Sequence, residues 1–148
     1  MYTSGKSVWL TLLLTDFIII AVAAAAVGLP WLTKWYITSM KRSEDLRAVI
    51  LTVCYACLPA AAAALYSLRK LLKNIIKGET FVKSNVRHLR LLSWYCAAVS
   101  LITLAAGYFY LPFYIIGTAA GFFMLILRVL KNVFCSAIEI KAENELTI

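Results

Sequence analysis

Four long apolar runs separated by short polar stretches shape the chain. The first, Val8–Leu29, contains one charge, Asp16, and the second, Ala48–Leu68, contains none. The third and fourth cover Leu91–Leu111 and Phe113–Leu130, with Arg128 at the end of the last. A helix needs roughly 20 apolar residues to cross the hydrocarbon core of a bilayer, and each run comes near that length. The pattern predicts an all-α membrane protein: one domain, residues 1–148, built on four transmembrane helices. A cleaved signal peptide competes for the first run, but that run is longer than such a core and holds Asp16 within it. Pro30 is expected to end the first helix, with Trp31, Trp35 and Tyr36 anchoring it at the interface. Pro59 should kink the second.

The polar segment between the second and third runs, residues 69–90, has a pattern of its own. Leu68, Leu71, Leu72, Ile75 and Ile76 share one helical face, and Arg69, Lys70, Lys73, Asn74 and Lys77 take the other. Gly78 reads as the stop after this extension, where a residue with positive φ is wanted. Val82, Val86, Leu89 and Leu92 or Ser93 then begin a second stripe, with Lys83, Arg87 and Arg90 turned away. Two amphipathic extensions joined by a tight turn predict a cytoplasmic helical hairpin between helices 2 and 3. The alternative lays both arms flat among the headgroups. Ser43 followed by Glu44 and Asp45 predicts an N-cap for the second helix. Residues 131–148 read as a polar tail, helical at first.

Composition confirms the class. Hydrophobic residues make up 63% and charged residues 15%, with a mean hydropathy of +0.84, which no soluble domain could bury. The net charge of +8 therefore reads as membrane topology and not as nucleic-acid binding. Seven of the 15 Lys and Arg residues lie in segment 69–90. With Lys6 and the tail they put the positive excess on one side, so both termini are expected in the cytoplasm of a multi-pass inner or plasma membrane protein. The four cysteines lie in or beside apolar runs and form no disulfide framework.

Few residues invite chemistry. Asp16, the one acid inside a membrane run, should face a bundle interior or wet cavity and find a partner. It is either a proton or cation site of a small exporter, or a structural group bonded to Thr15, Ser100 or Thr103 or snorkelling toward the cytoplasmic face. Cys54 and Cys57 have a C-x-x-C spacing but no second dithiol for an electron relay, so they read as small packing residues. Small residues at four-residue spacing, Ala56/Ala60/Ala64 and Gly117/Gly121, let helices approach closely, within the chain or across a homodimer seam. No metal or cofactor is expected, and no nucleophile–base pair points to an enzyme. Glu139, Glu143 and Glu145 make the tail acidic, which suggests an electrostatic clasp onto the basic hairpin.

Two stretches resemble a known family. Gly78-Glu79-Thr80-Phe81-Val82-Lys83-Ser84-Asn85-Val86-Arg87-His88-Leu89-Arg90 is similar to the central Gly…Phe…Asn-Val-x-x-Leu-Arg signature of a bacterial four-helix membrane family of unknown function. The ending Glu143-Asn144-Glu145-Leu146-Thr147-Ile148 resembles its Leu-Thr-Ile tail. Members often have Pro before the Phe and a capping Thr after it; this chain has Thr80 and Val82. The resemblance implies a cytosolic partner, because members are often encoded beside a small helix-turn-helix regulator. The expectation is a non-enzymatic protein that contacts the lipid bilayer and docks such a partner. Arg69, Lys73, Lys77, Arg87 and Arg90 would supply a charged face, and Glu143, Glu145, Leu146 and Ile148 tail contacts. Transport through Asp16 is the alternative, and thiol redox through Cys54 and Cys57 a weaker one.

Overall fold

The computed structural model describes residues 4–147, which form four helices: α1 Ser4–Ser39, α2 Glu44–Ile76, α3 Lys83–Ala106 and α4 Pro112–Leu146. Each is long and apolar enough to cross a membrane, so the chain is a multi-pass membrane protein in contact with lipid. At 36, 33 and 35 residues, α1, α2 and α4 reach about 50 Å at 1.5 Å per residue, well beyond a hydrocarbon core of about 30 Å. The excess length is what the polar extensions occupy.

The helices stand in a row. α1 packs on α2, α2 on α3 and α3 on α4, and no other pair of helices brings its backbones together. An interior of the kind expected around Asp16 is therefore not enclosed. The seams are polar as often as apolar. Val53, Ala106 and Phe113 form a small apolar cluster with Cys57 packed against it, while Thr15, Thr33, Ser67, Ser93, Ser100 and Thr103 are also buried. Large apolar side chains such as Phe17, Ile20, Leu101, Ile115 and Phe122 point outward. In lipid this arrangement is stable, since tails solvate the outward faces and small polar residues let backbones approach.

Gly117 shows how close that approach is. A Cβ there would come 2.6 Å from Leu104 Cγ, and the Gly117 carbonyl accepts a 2.7 Å hydrogen bond from Ser100 Oγ. Gly121 faces the same Ser100 hydroxyl. Both glycines thus serve the α3–α4 seam, Gly117 buried and Gly121 half-buried. Of the alanine stripe, Ala60 and Ala64 are half-buried and Ala56 is exposed.

α1 does not end at Pro30, as expected, but continues to Ser39. Proline lacks an N–H, which strips the Ala26 carbonyl of its helical donor. The Tyr55 hydroxyl, from α2, donates to that carbonyl at 3.2 Å. One turn on, Thr33 Oγ1 donates to Leu29 O at 2.8 Å and Arg47 to Pro30 O at 3.3 Å. The neighbouring helix thus repairs the break and the helix runs on. Ser43 caps α2 as expected, its Oγ accepting from Leu46 N. The last residues of the third run, Gly107–Leu111, are a turn, and Pro112 opens α4, where a missing N–H costs nothing.

Candidate functional site at the hairpin end

The polar residues singled out above gather at one end of the row, around the α2–α3 turn. α2 stops as its sequence predicts. Gly78 takes φ +84°, its N–H donates to Ile75 O at 3.1 Å, and Glu79 N–H donates to Asn74 O at 3.0 Å. These two bonds are a Schellman stop, which satisfies carbonyls the helix leaves unpaired. The stripes hold: Leu71, Leu72, Leu89, Leu92 and Ser93 are buried, and Lys83, Arg87 and Arg90 are exposed.

The turn is locked by Asn85, a residue that sequence reasoning quoted in a motif but gave no task. Its side chain is fully buried, at 0% exposure. Its Nδ2 donates to Glu79 O at 3.0 Å and Thr80 O at 2.7 Å, and its Oδ1 accepts from Asn74 Nδ2 at 2.9 Å. One amide thereby ties α2, the turn and α3 together. Val82 stands at the N-cap of α3 with no side-chain cap bond, so Asn85 orders the start of α3 where a capping hydroxyl is lacking. The only available signal was an uncharged polar residue in register with a buried stripe.

Asp16 finds its partner here too. Arg69 Nε donates to Asp16 Oδ1 at 2.5 Å and Arg69 Nη2 to Oδ2 at 3.4 Å, a two-pronged pair between α1 and α2. Neither Thr15, Ser100 nor Thr103 takes that role. The pair aligns α1 with α2: Asp16, within the first apolar run, stands against Arg69, which directly follows the second. The Arg69 side chain keeps 39% of its surface exposed.

α4 extends the site. The tail expected to be only partly helical continues α4 without a break to Leu146. Phe81, at the turn, meets Phe134 edge to face with ring centroids 5.4 Å apart. Beyond that contact lies an apolar groove of about 380 Å³ lined by Phe81, Ala137 and Ile140, with Lys141, Asn144 and Glu145 at its rim. The hairpin–tail clasp is therefore aromatic: among the described residues, no ion pair joins Glu139, Glu143 or Glu145 to the hairpin. Glu143, Glu145 and Leu146 are exposed at the helix tip, Leu146 to 87%, and Ile148 lies outside the described residues. Lys73, Lys77 and Arg87 stay exposed. His88 is half-buried, and burial first, then Lys70 and Arg87, holds its imidazole below the ordinary pKa. Among the described residues, no group of three His, Cys, Asp or Glu side chains converges as a metal-ligand set.

The model of a family described as a protein of unknown function (DUF2975) matches residues 5–148 of this chain. No curated protein and no solved structure matches it.

Proposed function

This chain belongs to the DUF2975 family, and from that premise we propose that it is a non-enzymatic membrane protein that docks a cytosolic partner on its hairpin end. The observation that carries the reading is the α4 extension. It leaves the apolar layer as one helix, is braced by Phe134 against Phe81, and presents the Phe81–Ala137–Ile140 groove beside exposed Glu143, Glu145 and Leu146. Exposed apolar side chains have no lipid to cover them once a helix has left the bilayer, so a protein surface is their natural partner. In this reading the hairpin end faces the cytoplasm, as its concentration of Lys and Arg favours. Lys73, Lys77 and Arg87 add a cationic flank for an acidic patch on the partner. The partner class is a small helix-turn-helix regulator, on the strength of the family resemblance. Transport through Asp16 gains no support from the geometry, because Arg69 engages both carboxylate oxygens. The Cys57 side chain packs on an apolar cluster, as a space-filling residue does.

The test is capture of soluble partners from native membranes in mild detergent, comparing the full chain with one truncated after Cys135. That cut keeps Phe134, so the turn stays braced, and removes Ala137, Ile140, Glu143, Glu145 and Leu146. A DNA-binding regulator held by the full chain and lost from the truncated one is the expected result. Equal capture by both forms, or none by either, would overturn the reading.

A further inference from the structure

Arg90 on α3 and Arg128 and Lys131 on α4 line one cleft of about 320 Å³, together with Ser93 and Trp94. Three positive charges around one space repel each other, and an anion among them would turn that repulsion into attraction; Arg90 and Arg128 are exposed and Lys131 half-buried, so an anion can reach them. Among the described residues none of the three has an acidic partner; the ion pairs present are Arg47–Glu44 and Arg69–Asp16. The cleft is also shaped. The Arg128 guanidinium sits over the Trp94 ring, 5.4 Å from its centroid, a cation–π contact that fixes its position. Ser93, 2% exposed, contributes a hydroxyl whose one bond among the described residues is a long one, 3.5 Å to Met124 O. Cations that serve only to orient a membrane protein need merely stand near the bilayer; nothing requires three of them, from two helices, to line one cleft.

Depth identifies the anion. Arg90 immediately precedes the third apolar run and Arg128 closes the fourth, so the cleft lies at the level of the lipid headgroups. We propose that this cleft binds a phosphate group, supplied by the headgroup of an anionic phospholipid. Guanidinium groups pair phosphate oxygens in a fork, and the Lys131 ammonium adds a point charge. Basic pockets between transmembrane helices are suited to such headgroups. The assignment removes Arg90 from the partner-docking face, and it does not depend on any partner docking there.

The experiment is native mass spectrometry of the full-length chain in detergent with phosphatidylglycerol or phosphatidylcholine. The wild type is expected to retain one phosphatidylglycerol per chain under activation that strips phosphatidylcholine. Arg128→Gln and Lys131→Gln should each weaken that retention about tenfold, the loss of one charge-assisted contact. Lys83→Gln, an exposed cation outside the cleft, should leave it unchanged. Equal retention of the two lipids by the wild type would overturn the proposal without recourse to any variant. So would a Lys83→Gln loss as large as that of Arg128→Gln, since the binding would then be diffuse surface charge. Glycerol phosphate displacing phosphatidylglycerol supports phosphate recognition, whereas glycerol phosphate bound with no phosphatidylglycerol adduct overturns the lipid as its source.

Discussion

Two turns of this protein solve the same problem with different side chains. α1 ends with Arg42 N–H donating to Ile37 O and Lys41 N–H to Thr38 O, and α2 ends with the equivalent pair at Glu79 and Gly78. Both stops need a residue in the left-handed region. The α2 stop uses Gly78 at φ +84°, whereas the α1 stop forces Lys41 to φ +49°. A side chain in that conformation costs about 1–2 kcal/mol. The α2–α3 turn is further locked by buried Asn85 and braced on α4 by Phe81, while Lys41, Arg42 and Ser43 are all exposed. The difference teaches where this chain invests in a defined shape. One turn merely reverses direction; the other is built to hold the hairpin and α4 in a fixed relation.

Breaking the lock should do most damage. Asn85→Leu removes three hydrogen bonds and strands the Asn74 amide and two backbone carbonyls, at about 1–3 kcal/mol for each group that water cannot reach. A loss of about 2–4 kcal/mol is expected, read as earlier thermal exposure of the half-buried cysteines Cys54, Cys57, Cys96 and Cys135 to a thiol dye. Asn85→Asp should fare no better, because it keeps an acceptor for Asn74 but turns a carboxylate toward two carbonyl oxygens.

Gly78→Val comes next. Nothing lies within 4 Å of a Cβ there, so the cost is backbone strain alone, about 2 kcal/mol for a β-branched residue. Phe81→Ala should cost about 1 kcal/mol, the scale of an edge-to-face pair. Its clearer signature is a wider spread of spin-label distances between the turn and α4. A distribution as narrow as that of the wild type would show that Phe81 does not brace α4. Lys41→Gly should act in the opposite direction, relieving strain for a gain of under about 1 kcal/mol, since glycine returns part of it as chain entropy. A destabilised Lys41→Gly would erase the contrast between the turns.

Acid supplies the mildest probe. The folded hairpin holds His88 below the ordinary value of 6.5, so the stabilisation of its neutral form is complete above that pH and is lost as pH falls through the lower folded value. The hairpin turn should loosen slightly on acidification and a His88→Gln variant should not. The opposite turn, with no histidine in the chain besides His88, should be indifferent.

The parts of this architecture legible in the sequence were those written by local rules. Period-3.6 stripes declared that α2 runs on to Ile76 and that α3 starts before the third apolar run, Gly78 declared the stop and Ser43 the cap, because each acts on residues within a turn or two of itself. The site was less legible. Asn85 carries no charge or reactive group and its partners are two carbonyls and another amide, so composition gave it no prominence. Arg69 looked like one more solvated cation, and its bond to Asp16 spans 53 positions that no periodicity connects.

From the sequence alone come the membrane class and the four helices, since bilayer thickness and helical period act on each segment separately. The tertiary structure decided what depends on two segments at once. It set the helices in a row, carried α1 through Pro30 because Tyr55 was there to repair it, and brought Asp16 against Arg69. It also placed Gly117 and Gly121 in the α3–α4 seam. Packing and register are relations between surfaces, and a hydrophobic run records only that a surface is apolar, not which neighbour will lie against it.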